Sequence, residues 1–546
     1  MTLNEFSVNP WKNLLPMVDP SRLPTALGKR AASQGWLKWA ILFSACLGAM
    51  METVDTSIVN VAVPDMRGNL GATLSEIGWV STGYTMANVI IIPLTAWLGV
   101  RFGKKNYFLF SLISFTVASV FCGMADSLGS LIAARVFQGL AGGGLLAKAQ
   151  SLLFETFPPA EQGMASAIFG LGVIVGPAIG PTLGGLITDG LDWRWIFYVN
   201  VPVGLAAIWM IHTFLPQDDP VHRADGRGAT VDWWGLLWLT LGLGGFQLVL
   251  EQGQQEDWFS SPFIRWTSFI SISSLILFVR QELGTRHPAV DLRVLRHKAL
   301  MAGSLYSIVL GFGLYGAVFI IPVFAQSQLH FTATKTGLML LPGSLASAVV
   351  MILFGKFLKN YDQRILITTG ALILCASMWS LGSLSSETGE DDLFWPLIGR
   401  GVGTALIFLP LSIATLGGIP RHEIPAAAGL FSLTRQMGGS VGIAVLTTML
   451  EKCTLIHRGD LVNAINPLSV PYVQRSLMAN FALAPNTPDL QMASTKTLGV
   501  FDNIINLQSS ILASIDIFQS LAWMFLLTLP LILLLSRGGV KPSTAR

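Results

Sequence analysis

The sequence predicts an all-α polytopic membrane protein with fourteen transmembrane helices, two six-helix pseudo-repeat bundles and two further helices inserted between them. Three observations lead there. Charged residues make up 12% of the 546 residues, against ~25% in soluble proteins, and the mean hydropathy is +0.59. Apolar runs of bilayer-crossing length recur along the chain. Two stretches near opposite ends also repeat one pattern in one order.

The apolar runs fall at 37–64, 76–98, 106–126, 128–150, 162–189, 195–215, 232–252, 263–281, 300–325, 335–357, 364–384, 392–416, 425–450 and 515–536. Alternate connections are basic: Lys12, Arg22, Lys29, Arg30 and Lys38 come first, then Arg101, Lys104 and Lys105. Arg223 and Arg227 follow, then Arg280, Arg286, Arg293, Arg296 and Lys298, then Lys356, Lys359 and Arg364. Arg421 and the tail Arg537, Lys541 and Arg546 complete the set. Basic loops stay in the cytoplasm, so both termini are expected there, which requires an even number of spans. The net charge of +3 adds little to this. The first run starts after a polar tail and exceeds a signal peptide's apolar core, so it reads as an uncleaved span. Segment 282–298 mixes Val290, Leu292, Val294 and Leu295 with basic residues and reads as an interfacial helix. Segment 451–514, with Pro467, Pro471, Pro485 and Pro488, is too long for an ordinary loop and reads as a partly ordered outer cap.

The repeat is specific. Leu131-Ile-Ala-Ala-Arg135-Val-Phe-Gln-Gly139, Phe157-Pro-Pro-Ala-Glu161 and a glycine-rich span 5 appear in order. Pro396-Leu-Ile-Gly-Arg400-Gly-Val-Gly403, Ile419-Pro-Arg-His-Glu423 and Gly438-Gly-Ser-Val-Gly442 match them. The economical division is a tail 1–36, a bundle 37–215, an insert 216–299, a bundle 300–536 containing the outer segment, and a tail 537–546. Span 5 holds six glycines and two prolines between Gly170 and Gly185. That composition would ruin a soluble helix, but in lipid it permits close, bendable packing. Spans 5 and 13 therefore read as a flexible seam between the halves. Paired repeats with a site between them near the midplane describe a secondary transporter.

Five ordered motifs identify the chain as similar to the major facilitator superfamily, and to its fourteen-span drug:proton antiporters of the EmrB/QacA type. Glu52-Thr-Val-Asp55-Thr-Ser-Ile-Val-Asn60-Val-Ala-Val-Pro64 resembles that family's first-span signature, and Leu98-Gly-Val-Arg101-Phe-Gly103-Lys104-Lys105 its gating turn. Arg135-Val-Phe-Gln138-Gly139 is similar to its span-4 motif. Gly176-Pro177 with Gly180-Pro181-Thr-Leu-Gly184-Gly185 is similar to its antiporter motif, and Asp192 to Gly204 to its entry into span 6. The resemblance covers about 37–536. It departs at Val100, where the gating turn usually has an acid, at Ala96 in place of a glycine, and at Glu52, a second carboxylate on span 1. It implies a major facilitator fold and conformational gating by Arg101, Gly103, Lys104, Gly172, Gly176, Pro177, Gly180, Pro181, Gly184 and Gly185. In a double-membrane bacterium it also implies an inner-membrane location and docking to a periplasmic membrane-fusion adaptor and an outer-membrane channel.

Ionisable groups inside spans are costly and mark function. Asp55 and Arg135 lie at similar depth, so they are expected to meet, either to couple protons or as a permanent bridge. Glu52 shares a helix face with Asp55, and Thr56 and Asn60 continue that face. Two acids on one wall suit a cationic substrate exchanging with protons. Arg400 and Arg435 are expected to hold helix contacts, for example to carbonyls of glycine-rich turns. Gln138, Asn88, Gln326 and Gln328 are candidate cavity polars, and Tyr84, Tyr315, Phe319 and Trp379 candidate aromatics for lipophilic cations. Asp516 reads as solvated and His212 as a helix-end residue. The four cysteines suggest neither a disulfide nor a metal site. No nucleotide loop or catalytic motif occurs, so no cofactor, enzyme activity or nucleic-acid partner is expected. The expected function is proton-coupled antiport exporting lipophilic, cationic drugs or toxic small molecules. The alternatives are export of an endogenous amphiphile (lipid, glycoside or siderophore) and a non-transporting receptor or scaffold.

Overall fold

The computed structural model describes residues 22–218, 231–285, 288–357, 361–385, 387–466, 468–483 and 490–535. Among them every regular element is helical, and fourteen helices are long and apolar enough to cross a membrane. Spans 1 to 6 are Leu37–Leu70, Glu76–Phe102, Lys104–Gly123, Leu128–Thr156, Gln162–Gly190 and Trp195–Phe214. Spans 7 and 8 are Trp233–Gln252 and Pro262–Gly284. Spans 9 to 14 are Lys298–Ser327, Thr334–Lys356, Gln363–Leu381, Glu390–Leu416, Ile424–Ala464 and Thr495–Leu534. An even count returns the chain to the face it started from, here called the terminal face.

Small residues decide which helices touch. Gly176, Gly180 and Gly184 recur every four residues along one face of span 5, and span 1 meets that face with Thr53, Ser57 and Ile58. A Cβ on Gly176 would overlap Thr53, and one on Gly180 would overlap Ser57. Span 13 repeats the device against span 9: a Cβ on Gly438 would overlap the Ile308 carbonyl, and one on Gly442 would sit 2.8 Å from the Phe312 carbonyl. These glycine faces are therefore turned to spans 1 and 9, while other faces of the same two helices meet the opposite half. Span 5 packs on span 10, where Gly355 lies on Gly163 and Ala167, and Gly337 on Thr182. Span 13 packs on spans 2 and 4, where Gly429 approaches Ile92 and Thr95 and Ser432 donates to Gln150 Oε1 at 3.2 Å.

The repeated Pro-x-x-Glu loops also find matching partners. Glu161 pairs with Lys38 at the start of span 1, at 2.5 Å. Glu423 pairs at 2.6 Å with both Arg296 and His297, just before span 9.

Two segments differ from expectation. Residues 451–514 are not a separate cap. The span 13 helix runs unbroken to Ala464, a helix Val470–Leu483 follows, and the span 14 helix starts at Leu490. Arg458–Asp502 and His457–Asp516, both at 2.7 Å, join the two polar extensions, so the helices outlast their apolar stretches. Within 282–298 the only described helical turns after Gly284 are a 3₁₀ stretch, Leu292–Arg296, with Val290 and Val294 buried against the protein. Lys12, Arg223, Arg227, Arg286, Lys359, Pro467, Pro485, Pro488, Arg537, Lys541 and Arg546 lie outside the described residues.

Burial alone would raise the Glu423 carboxyl, but His297, Arg296 and His422 outweigh it and hold it below the usual 4.5. A carboxyl lowered in the fold stabilises at pH above its unfolded value and ceases to as pH falls through the folded one. Glu423→Gln should therefore cost up to about 1 kcal/mol near neutrality, since its partner Arg296 is 65% exposed. In detergent melts from pH 7 to 3, the difference from wild type should hold down to about pH 4.5 and shrink below it, disappearing as pH falls through the lowered folded value.

Candidate functional site

Spans 1, 2, 3, 4 and 6 converge on one carboxylate. Asp55 is fully buried at 0% exposure, as is Arg135 at 1%. Arg135 Nη1 lies 2.6 Å from Asp55 Oδ2 and also donates to Gln138 Oε1 at 2.6 Å. Asp55 Oδ1 accepts from Gln138 Nε2 at 2.9 Å and from Asn200 Nδ2 at 2.7 Å. Gln138 also donates to Ser119 Oγ at 2.8 Å, and Arg135 Nε to the Val80 carbonyl at 3.3 Å. The Tyr84 ring covers the guanidinium at 4.0 Å. Each charge thus has a counter-charge and further polar partners, as a buried ion pair requires.

Glu52, one turn away, is held differently. Span 4 breaks at Gly143 and Gly144 into helices Leu128–Gly142 and Leu145–Thr156. Glycines are needed there, because Cβ atoms on Gly139, Gly143 and Gly144 would run into Tyr84, Asn88 and Thr95 of span 2. The break frees N–H groups at the start of the second helix. Glu52 Oε2 accepts one of them, Leu146 N, at 2.8 Å, while Oε1 accepts from Asn88 Nδ2 at 2.9 Å. A carboxylate at a helix N-terminus is favoured by the helix dipole.

The C-terminal spans contribute cations instead. Arg435 (1% exposed) lies over the Phe408 ring at 5.3 Å, and its two terminal nitrogens have no hydrogen-bond partner. Arg400 lines a small cavity of about 20 Å³ with Ser344, Ser347, Thr404, Ile174 and Pro177, and its Nε is also without a partner. The expected contacts to glycine-rich carbonyls are not made by these nitrogens.

The sequence profile described as Major Facilitator Superfamily matches residues 45–443. This chain belongs to that superfamily. It is 36% identical to the multidrug export protein EmrB of Haemophilus influenzae over 438 residues, 80% of this chain and 84% of the relative. It is 34% identical to the Escherichia coli K12 protein of that name over 490 residues, covering 89% and 93%. It is 32% identical to the fatty acid resistance protein FarB of Neisseria gonorrhoeae over 498 residues, covering 91% and 95%. Among solved structures, the human organic anion transporter MFSD10 superposes with TM-score 0.56 at 13% identity, over 91% of this chain and 99% of that one. The proton:xylose symporter XylE gives 0.54 at 13%, over 77% and 90%. The superfamily fold is thereby the fold of this chain.

Within this superfamily member, Gln138 and Tyr84 belong to the Asp55–Arg135 network and Asn88 to Glu52. Thr56 returns its hydroxyl to the Glu52 carbonyl at 2.8 Å. Tyr315 lies against Gly439, near Arg435. Asn60 is exposed, as is Gln326 near the far end of span 9, whereas Gln328 is buried and donates to Ser514 Oγ at 3.1 Å. Trp379 is exposed and paired with Trp523, facing outward. Asp516 is 42% exposed, as expected of a solvated residue, and also pairs with His457. Lys104 of the gating turn pairs with Glu155 at 2.5 Å, and Gly103 takes a positive φ of 87° that favours glycine there. Four participants were missed. Asn200 and Ser119 are neutral and carried no charge signal. Lys148 and Glu251 are ionisable residues inside spans 4 and 7, and the rule that singled out Arg135 applies equally to them.

Removing one member of a buried pair strands the other. Asp55→Ala should cost about 3–5 kcal/mol by leaving Arg135 unpaired, whereas the near-isosteric Asp55→Asn should lose less. Unfolding of both variants in one detergent would reveal that order.

Proposed function

We propose that this chain is a proton-coupled exporter of lipophilic drugs in the inner membrane, with both termini in the cytoplasm. The observation that carries the reading is the fully buried Asp55–Arg135 pair, through which five spans share one titratable group. Protonating Asp55 deletes the charge that Arg135, Gln138 and Asn200 converge on, so the packing of spans 1, 3, 4 and 6 must readjust. That change biases the rocking of bundle 37–215 against bundle 300–536 along the span 5–span 10 seam. Glu52 couples the same event to the break in span 4, and its acid and that of Asp55 suit a cationic drug. Arg101, Gly103 and Lys104 gate the terminal face. The names of the EmrB relatives, multidrug export proteins, support this reading.

A second reading, export of an amphiphile with an acidic head, is favoured by Arg400 and Arg435. Both are buried and neither has a carboxylate within ion-pair distance among the described residues, although the charge of Glu52 reaches Arg435. An anionic head in the Arg400 cavity would supply the missing charge. The FarB relative, named for fatty acid resistance, points the same way.

The helix Val470–Leu483 and its flanks stand beyond the membrane with Leu468 (87%), Val470, Met478 and Phe481 (76%) exposed. We assign this apolar, protruding surface to a periplasmic adaptor that passes substrate to an outer-membrane channel.

In proteoliposomes, an inward proton gradient should drive dye-cation or laurate movement in wild type, and whichever moves selects between the two readings. Asp55→Asn should lose at least about tenfold of gradient-driven flux while retaining gradient-free exchange. Flux that ignores the gradient in wild type would end the antiport reading. For the adaptor, Met478→Asp with Phe481→Asp should abolish resistance in cells and leave vesicle transport intact.

A further inference from the structure

Span 4 carries a cation that none of these roles uses. Lys148 lines a narrow crevice of about 60 Å³ on the terminal side, walled by Tyr107, Phe108, Leu152, Leu215 and Pro425. Its Nζ donates to Ser111 Oγ at 2.6 Å and lies 3.4 Å from the centre of the Tyr107 ring. An ammonium has three donors, and no carboxylate lies within ion-pair distance of this one among the described residues. The nearby acids are already occupied. Glu155, at the rim, accepts from Ser151 at 2.9 Å and pairs with Lys104 at 2.5 Å. Glu52 acts on Lys148 through its charge but not by contact, its oxygens being bound by Asn88 and the Leu146 N–H. The aromatic face offsets a further part of the charge, yet the ammonium at the end of an apolar crevice still lacks an anion in direct contact. The missing partner is an anion with an apolar tail.

We propose that this crevice is an entry subsite for amphiphilic carboxylates, the head on Lys148 and the acyl or aryl tail along Tyr107, Phe108 and Leu152. Pro425 belongs to span 13, so the crevice is shared by both halves and opens as they part on the terminal face. The inference gives the acidic-amphiphile reading a place of first capture, 10 residues along span 4 from Gln138, which binds Asp55. It concerns binding alone, which needs no gradient.

The test is calorimetric titration of the purified full chain with laurate below its micelle concentration, beside dodecanol and dodecylamine. Laurate should bind and dodecylamine should not. Lys148→Met should weaken laurate at least tenfold without changing dodecanol, and Lys148→Arg should keep laurate within about threefold of wild type. Leu152→Trp, which fills the crevice and retains the charge, should weaken laurate too. Equal laurate affinity in wild type and monodisperse Lys148→Met would overturn the proposal. So would nanodiscs in which phosphatidylglycerol, but not phosphatidylcholine, displaces laurate completely through Lys148, because the site would then hold a lipid phosphate. Laurate binding without gradient-driven flux would sink the antiport reading and spare this one; flux without Lys148-dependent binding would do the reverse.

Discussion

A charge in hydrocarbon must be matched, and in this chain one match organises half the molecule. Asp55 draws donors from spans 4 and 6, and Arg135 reaches a carbonyl of span 2. Ser119 of span 3 is bound through Gln138. None of these contacts has water to replace it, so five helices are registered against one another by the needs of a single carboxylate. Close approach is what makes those contacts possible. Gly139 and Gly143 let span 4 lie on the backbone of span 2, which brings Tyr84 over Arg135 and Asn88 onto Glu52.

The two ends of the chain use one scaffold for different electrostatic purposes. Glycine faces pack spans 5 on 1 and 13 on 9, and loop glutamates tie back to the first span in each repeat. Arg135 and Arg400 are repeat mates, yet only Arg135 has a carboxylate. Duplication preserved the packing and left the charge pairing to one copy. An unmatched guanidinium facing a cavity is a place for something from outside the chain, whereas a matched one holds the chain to itself.

Much of this was legible in the residues. Hydropathy located all fourteen spans, because apolar length is a direct physical requirement of the bilayer, and depth arithmetic along two helices brought Asp55 to Arg135. What stayed hidden has identifiable causes. The helices of spans 13 and 14 continue into polar sequence through cross-helix ion pairs, and hydropathy is blind to a helix once it leaves lipid. The partners Asn200 and Ser119 are neutral, so only three-dimensional convergence reveals them. The direction of the span 5 glycine face depended on which neighbour had small side chains, and no single helix records that.

The unbroken span 13 helix has a mechanical consequence. Its 41 residues make a rod of about 60 Å, roughly twice the hydrocarbon thickness. A rod held by glycine contacts at Gly438 and Gly442 behaves as a lever: the part beyond Gly442 is ~33 Å long, so a tilt of ~10° sweeps its free end by ~6 Å. A small shift at the span 9–span 13 contact is thus displayed, enlarged, far along the helix beyond its apolar stretch.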